Sequence, residues 1–381
     1  MKKRIFVIVL GLIALGAIGL GGWIISLPPE TVVDRSPVVP QEESDATLAA
    51  LKPPKRQRPL IAILGANAGT ETTDYLMPYG ILKRADVADV FLVATAAGPV
   101  NLYPVLKVDA QATTAGFDAQ HPDGADYVIV PAMQHPDDPA VLKWIKAQHE
   151  KGATVIAVCV GALVVANTGL LDGRRATTHW YYVDEMLKQH PSIQYVPNRR
   201  LVVDRGVATT TGISASMPIS LTLIEAIAGH EKAAAVAEEL GARRWSARHN
   251  SAVYKFTRPF ALTAMGNRLA FWDHEDLGLA LTPGVDEVAL ALVADAWSRT
   301  FRSRAITFAA TTNAVETRNG VRIYPEKAAA EWPAALLLEP IGSEPAADAL
   351  DEALRQITVR YGIGTARFVA MQLEYTRLSA L

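Results

Sequence analysis

The sequence predicts an α/β protein whose main unit is a three-layer sandwich: a mostly parallel sheet covered by helices on both faces. Three observations carry that prediction. Between residues 60 and 158, short β-branched apolar runs alternate with helical stretches, and the runs lack the period-two polar alternation of a half-solvated sheet. The run Thr154–Val158 passes directly into Cys159 and then into an apolar stretch from Gly161 to about Asn167-Thr168-Gly169, the pattern of strand, sharp turn and helix. The order of elements in the first half then returns in the second. With 381 residues, 50% of them hydrophobic and 20% charged, the chain is long enough for two such units.

The elements follow in order. Met1-Lys2-Lys3-Arg4 is basic, and Ile5 to Leu27 carries no charge. A helix over 5–27 would reach roughly 34 Å, against a bilayer core of about 30 Å, with Trp23 near the far end where interfacial aromatics sit. We expect an uncleaved single-pass anchor with a cytoplasmic N-terminus and extracytoplasmic folded domains, periplasmic in a bacterium. A cleaved signal peptide would have a shorter apolar region, about 7–15 residues. Residues 28–58 hold Pro28, Pro29, Pro37, Pro40, Pro53 and Pro54 among acidic residues, which predicts an extended, poorly packed tether with a short helix near Asp45–Leu51.

The first folded unit is expected over 59–235. Strands are predicted at Leu60–Leu64, Val90–Thr95, Asp126–Pro131 and Thr154–Val158, and helices at Asp74–Ala85 and Asp138–Glu150; Val105–Ala110 reads as extended. Sites in parallel sheets lie at the C-terminal strand ends, where Asp74, Ala132-Met133 and Cys159 fall. Cys159 is the only cysteine, which excludes an internal disulfide and a cysteine-based zinc site. His121, His135, His149 and His190 are too scattered to hold a metal, and no cofactor is expected. A net charge of −2 with no basic stripe argues against a nucleic-acid partner. A thiol at a helix start meets backbone N–H groups and the positive end of the helix dipole, so a depressed pKa is expected for Cys159. A nearby histidine such as His179 would move protons at neutral pH.

Several motifs together resemble the ThiJ/PfpI superfamily, whose fold is a flavodoxin-like sandwich related to class I glutamine amidotransferases. They are V-I-A-V-C-V-G-A-L-V-V-A-N-T-G-L-L-D-G-R-R-A-T-T-H-W from Val155 to Trp180, Asp74-x-x-x-Pro78, Asp126 to Pro131, and Gly206 to Gly212 before a helix ending near Gly229. The likeness extends over about 60–230 and is closest to isocyanide hydratases and the sensor domains of AraC-type regulators. The resemblance implies that Cys159 is the nucleophile, that Asp74 holds and tunes it, and that His179 lies near the thiol. It also implies that backbone N–H groups of Ala132, Met133 and Val160 bind an anionic intermediate. Two departures stand out. Ala132-Met133 replaces the family's Gly-Gly, which makes the pocket tighter and more apolar, and Val160 stands where the hydratase branch carries a hydroxyl. The helix-turn-helix that follows the sensor domain of the regulators has no counterpart after Gly229.

The second unit, 240–381, repeats the first in order: Leu277–Leu281 matches Leu60–Leu64, Asp286–Trp297 the helix from Asp74, Ala305–Thr311 the strand Asp89–Thr95, and Arg322–Pro325 the stretch Asn101–Pro104. Ala335–Pro340 matches Tyr127–Pro131, Leu350–Gly364 the helix from Asp138, and Ala366–Met371 the strand Thr154–Cys159. In that register Met371 replaces the nucleophile and nothing answers to His179, so a degenerate, truncated α/β copy is expected, forming an intrachain pseudo-dimer or supporting a homodimer. A fold in which Met371 does not end a sheet strand would remove the duplication idea. The functional expectation is a cysteine-dependent hydrolase or hydratase acting on a small electrophilic substrate, anchored to a membrane. The alternative is a non-enzymatic redox-sensing or ligand-binding domain using the same thiol.

Overall fold

The strand Leu60–Gly65 (β1) is buried along its whole length because it has a parallel neighbour on each side and cover on each face. The computed structural model describes residues 16, 18–30, 36–242 and 244–375. In chain order the first unit continues with helix α1 (Gln41–Ala50, ahead of β1), α2 (Thr72–Ala85), β2 (Asp89–Ala94), β3 (Ala112–Thr113), β4 (Tyr127–Val130), α3 (Pro139–Glu150), β5 (Thr154–Ala157), α4 (Gly161–Asn167), β6 (Leu201–Asp204), β7 (Val207–Thr210), α5 (Ser216–Ala228) and α6 (His230–Glu239). The sheet order is β6-β7-β5-β4-β1-β2-β3, parallel throughout except for the β6–β7 hairpin. This is the predicted mostly parallel α/β sheet, and its C-terminal edge carries the turns that end in Asp74, Ala132 and Cys159.

The second unit comprises α7 (Arg258–Leu269), β8 (Glu275–Ala280), α8 (Glu287–Ser298), β9 (Ser303–Ala309), β10 (Lys327–Ala328), α9 (Ala346–Tyr361) and α10 (Ile363–Gln372). β8, β9 and β10 are parallel neighbours in that order, and Gly278 of β8 forms a parallel bridge to Leu337. The expected strand at Ala335–Pro340 thus shrinks to one bridged residue after a 3-10 turn. The expected strand at Ala366–Met371 is helix α10, so Met371 ends no strand and the match to Thr154–Cys159 fails. The reason is the apolar spacing. Thr365, Ala366, Phe368 and Val369 recur at helical intervals and are all buried. The turn at Gly362 between α9 and α10 (φ 85°) instead parallels the turn at Gly229 between α5 and α6 (φ 88°).

In α2 all but Lys83 and Arg84 are buried, and in α8 all but Ser298. A helix apolar on all sides needs cover on all sides, and these two supply it to each other across the junction of the units. They approach closely where a side chain is missing: a Cβ on Gly80 would lie 2.5 Å from Glu287 Oε1 and 2.6 Å from Val288 Cγ2. Arg84 donates to both carboxylate oxygens of Asp286 at 2.9 Å, and Ile323 pairs antiparallel with Val108.

The stretch expected to be a loose tether is docked from α1 onward. Leu51 is fully buried, Tyr127 donates its hydroxyl to the Leu51 carbonyl at 2.7 Å, and Asp126 accepts from the backbone and guanidinium of Arg56. Asp126 is buried and also takes the N–H groups of Lys55 and Leu60, so one carboxylate fastens the tether to the start of β1. Most of the expected anchor, residues 5–15 and 17, lies outside the described residues. Among the described residues no helix is long and apolar enough to cross a membrane.

Candidate active site

Cys159 sits between β5 and α4 with φ +56°, a left-handed conformation that costs a side-chain-bearing residue roughly 1–3 kcal/mol and persists only where the surroundings enforce it. Three contacts enforce it. The Cys159 N–H donates to Thr210 Oγ1 at 3.1 Å, its carbonyl accepts from Thr178 Oγ1 at 3.1 Å, and Gly161 lets α4 press onto β4. A Cβ at Gly161 would lie 2.0 Å from the Val130 carbonyl oxygen, so no other residue fits there. Val-Cys-Val-Gly is therefore the local code for this turn. Strand geometry ends at the cysteine, and glycine admits the helix.

The sulfur is in a charged, closed setting, with Cys159 only 3% exposed. Burial first, then the Asp74 and Glu71 carboxyls, push its pKa well above that of a free thiol, while the Val160 N–H pulls the other way. The expected depressed pKa is thus reversed, because desolvation and two acidic neighbours outweigh the helix start. The resting group is a neutral thiol.

Asp74 is fully buried in the first turn of α2. Its Oδ2 accepts from the Ala132 N–H at 3.2 Å, and its Oδ1 from Ser216 Oγ at 3.4 Å. Glu71, three residues earlier, was not anticipated. Its carboxylate accepts from Thr73 Oγ1 (2.8 Å) and the Asp74 N–H (2.7 Å), and Arg299 Nη2 donates to its Oε1 at 2.7 Å. Arg299 Nε donates to Asp295 Oδ2, also at 2.7 Å. Three buried carboxyls against one guanidinium leave a charge surplus that protons must offset. Burial, then the Asp295 charge, pushes Glu71 up to about 7. Burial, then Glu71, raises Asp74 well above its ordinary value. Burial also raises Asp295, against the pull of Arg299. Since Glu71 has the guanidinium and two further donors, the proton rests preferentially on Asp74.

His179 lies in the same cavity wall, but both its ring nitrogens are engaged. Nδ1 accepts from the Tyr181 N–H at 3.2 Å, and Nε2 donates to the Gln372 carbonyl at 2.9 Å. Burial lowers its pKa, with Glu374 opposing. A neutral histidine tied to the C-terminal helix orients that helix; in this arrangement it does not serve the sulfur. The three expected backbone donors also divide. The Ala132 N–H is committed to Asp74, whereas the Val160 N–H points at the sulfur. The Met133 N–H carries no hydrogen bond here, because the Thr70–Met133 bridge uses the flanking groups of Glu71 and Gln134.

Cys159 faces a cavity of about 810 Å³ whose walls come from both units. The first unit supplies Glu71, Tyr103, Met133, Leu163 and the Trp180-Tyr181-Tyr182 run. Phe256, Phe260 and Ala264 come from the approach to α7 and from α7 itself. Arg299, Phe301, Phe368 and Gln372 come from the second unit. Phenylalanine, tyrosine and tryptophan rings form the largest share of the lining, and aliphatic side chains much of the rest. Glu71 had a signal in the sequence, an acid one helical turn before Asp74. Arg299 and the phenylalanines had none, since only the packing of the second unit brings them here. Among the described residues no His, Cys, Asp and Glu cluster is arranged to hold a metal ion.

A parallel α/β sheet with a cysteine at positive φ on a strand–helix elbow, beside a buried carboxyl, defines a nucleophile-elbow protein of the thiol type. The chain belongs to the DJ-1/PfpI family, whose profile matches residues 60–226. It is 31% identical over 172 residues to isonitrile hydratase of Pseudomonas putida, covering 44% of this chain and 72% of that protein. It is 34% identical over 101 residues to the HTH-type transcriptional regulator CdhR of Pseudomonas aeruginosa, covering 26% of this chain and 30% of the regulator. Among solved structures, oxidized Toxoplasma gondii DJ-1 aligns with a TM-score of 0.42 at 21% identity, over 49% of this chain and 100% of its own.

Proposed function

We propose that the protein is a cysteine-dependent hydrolase or hydratase for a small, largely apolar electrophile. The observation that carries this reading is a strained Cys159 facing an aromatic cavity with a proton-holding carboxyl pair beside it. In the proposed cycle Cys159 Sγ bonds to the electrophilic carbon of a carbonyl, amide or isonitrile. The thiol proton passes to the Glu71–Asp74 pair, and the N–H groups of Met133 and Val160 meet the anion that develops. With an amide or ester that proton leaves on the amine or alcohol, giving a thioester; with an isonitrile it goes to the carbon, giving a thioimidate. Water then adds to the same carbon and the C–S bond breaks; one water proton returns to the sulfur and, for the isonitrile, the other ends on nitrogen. The raised thiol pKa fits a nucleophile that gives its proton to the carboxyl pair only as the bond to the substrate carbon forms. Redox sensing has weaker support, because peroxide oxidation needs an exposed thiolate. The test is turnover of a panel of small alkyl and aryl isonitriles, amides and esters by wild type and Cys159→Ser. Turnover abolished by the substitution supports the reading, whereas none with any substrate, or turnover surviving in Cys159→Ser, refutes it.

The duplication as read from the sequence falls with Met371; on strand order instead, we infer that the second unit is a degenerate α/β copy standing in for a partner subunit. Its support is the parallel β8-β9-β10 order with the Leu337 bridge, the α2–α8 pairing and the shared glycine turns. A chain truncated after residue 242 that stayed folded, monomeric and active would refute this. Attachment to a membrane through 5–27 rests on the apolar sequence. Release of the full chain from membranes by alkaline carbonate without detergent would count against it.

A further inference from the structure

Beside the Cys159 cavity lies a second, smaller one of about 330 Å³, separated from it by the shared side chains Trp180, Tyr181 and Phe256. Three polar groups on its wall are buried without hydrogen-bond partners: Thr211 Oγ1, His249 Nδ1 and Glu374 Oε2, in residues 3%, 2% and 1% exposed. Buried polar atoms are nearly always paired, and each orphan costs about 1–3 kcal/mol.

The neighbouring contacts define what is missing. Glu374 Oε1 already accepts from the Trp180 N–H at 2.7 Å. His249 Nε2 lies 3.6 Å from Glu374 Oε2, too far for a hydrogen bond, and with the ring proton on Nε2 the unpartnered Nδ1 is an acceptor. Arg200 acts on Glu374 through its charge and Lys255 lines the same wall, yet neither gives Glu374 Oε2 a hydrogen bond, so two unfilled acceptors, one a carboxyl oxygen, call for a compact N–H donor. Tyr195, Tyr254 and Phe256 add aromatic wall, which favours a cation over a neutral donor. Glu374 itself holds a left-handed backbone conformation, φ +49°, and is clamped by Gly212, where a Cβ would meet its side chain at 2.8 Å.

We propose that this cavity is a binding site for a compact primary ammonium ion, which donates N–H bonds to Glu374 Oε2 and His249 Nδ1 against the aromatic wall. A quaternary ammonium lacks the donors, and an alcohol lacks the charge. Because Glu374 is one of the charges that Cys159 feels, and because Trp180 and Tyr181 face both cavities, occupancy is transmitted to the neighbouring site.

The probe is n-propylamine, titrated calorimetrically into the full chain at neutral pH, with 1-propanol and tetramethylammonium as comparison arms. The expected result is saturable one-site binding of propylammonium, with both comparison compounds weaker by about tenfold or more. Glu374→Gln should weaken binding by a similar factor. His249→Phe supplies the second loss-of-binding variant should Glu374→Gln fail to fold. No saturable binding in wild type, equal binding of 1-propanol, or unchanged binding in folded Glu374→Gln and His249→Phe would overturn the proposal.

Discussion

Replacing Arg299 with methionine tests whether the acidic cluster is held by one guanidinium from the second unit. Arg299 spans Glu71 and Asp295 at 2.7 Å each, and Asp295 Oδ1 has no partner of its own. Arg299→Met preserves much of the volume and removes the charge from two buried carboxylates. Breaking a buried pair on one side costs about 3–5 kcal/mol, and that full loss is expected at pH 8, where both acids would otherwise be ionised. At pH 5 the loss should fall to roughly half or less, because the folded variant can take up protons instead. The sign follows from linkage. Both carboxyls already have folded pKa values above their ordinary 4.5 and 3.8, and losing Arg299 raises them further. The folded variant therefore binds more protons than its unfolded chain, and its stability declines as pH rises from about 4 toward the new folded values. Urea denaturation of both proteins at pH 5 and pH 8 measures this, and adding Asp295→Leu should recover part of the loss at pH 8. An equal loss at both pH values, or one below about 1 kcal/mol at pH 8, would refute the reasoning.

Three further outcomes are expected. Gly161→Ala should cost about 3 kcal/mol or more, because its Cβ has no space beside the Val130 carbonyl oxygen; a variant with the wild-type melting temperature would contradict the elbow packing. Alkylation of Cys159 by iodoacetamide should be about tenfold or more slower than that of a free thiol at pH 7 and should climb beyond pH 9, and a rate already at its plateau at pH 7 would show a thiolate instead. Glu71→Gln should flatten the pH dependence of stability between 4.5 and about 7. The raised Glu71 contribution is fully present below 4.5 and is lost as pH rises through about 7, worth roughly 3 kcal/mol at about 1.4 kcal/mol per unit. A slope unchanged by the substitution, read from denaturant midpoints across that range, would mean that the proton resides elsewhere.

The parts of this fold that could be read from the sequence are those that local physics decides. β1, β2, β4 and β5 are short apolar runs flanked by turn residues, and each emerged as a strand, β1, β4 and β5 buried throughout and β2 over most of its length. The Cys159 elbow was legible because a strand, a cysteine and a glycine-led helix adjoin without a spacer. Two misreadings came from stretches whose pattern serves two structures. Ala366–Met371 is a short apolar run of the kind that periodicity cannot assign, and its place after the Gly362 turn and against α7 and α9 made it a helix. The proline-rich stretch before Leu60 looked like a tether by composition, yet one residue, Leu51, finds a fully buried site, and Asp126 anchors the chain beyond it.

The site itself was half legible, and the missing half explains why its electrostatics came out opposite to expectation. Helix-start arguments treat Cys159 as though only α4 acted on it. In the folded chain the second unit closes the cavity with Phe301, Phe368 and the Arg299 network, which removes solvent from the sulfur and confines Glu71 and Asp74 beside it. Desolvation scales with closure, so the unit that closes the cavity is also the one that keeps the thiol protonated. The second unit thus acts on Cys159 through burial and through the guanidinium that holds Glu71.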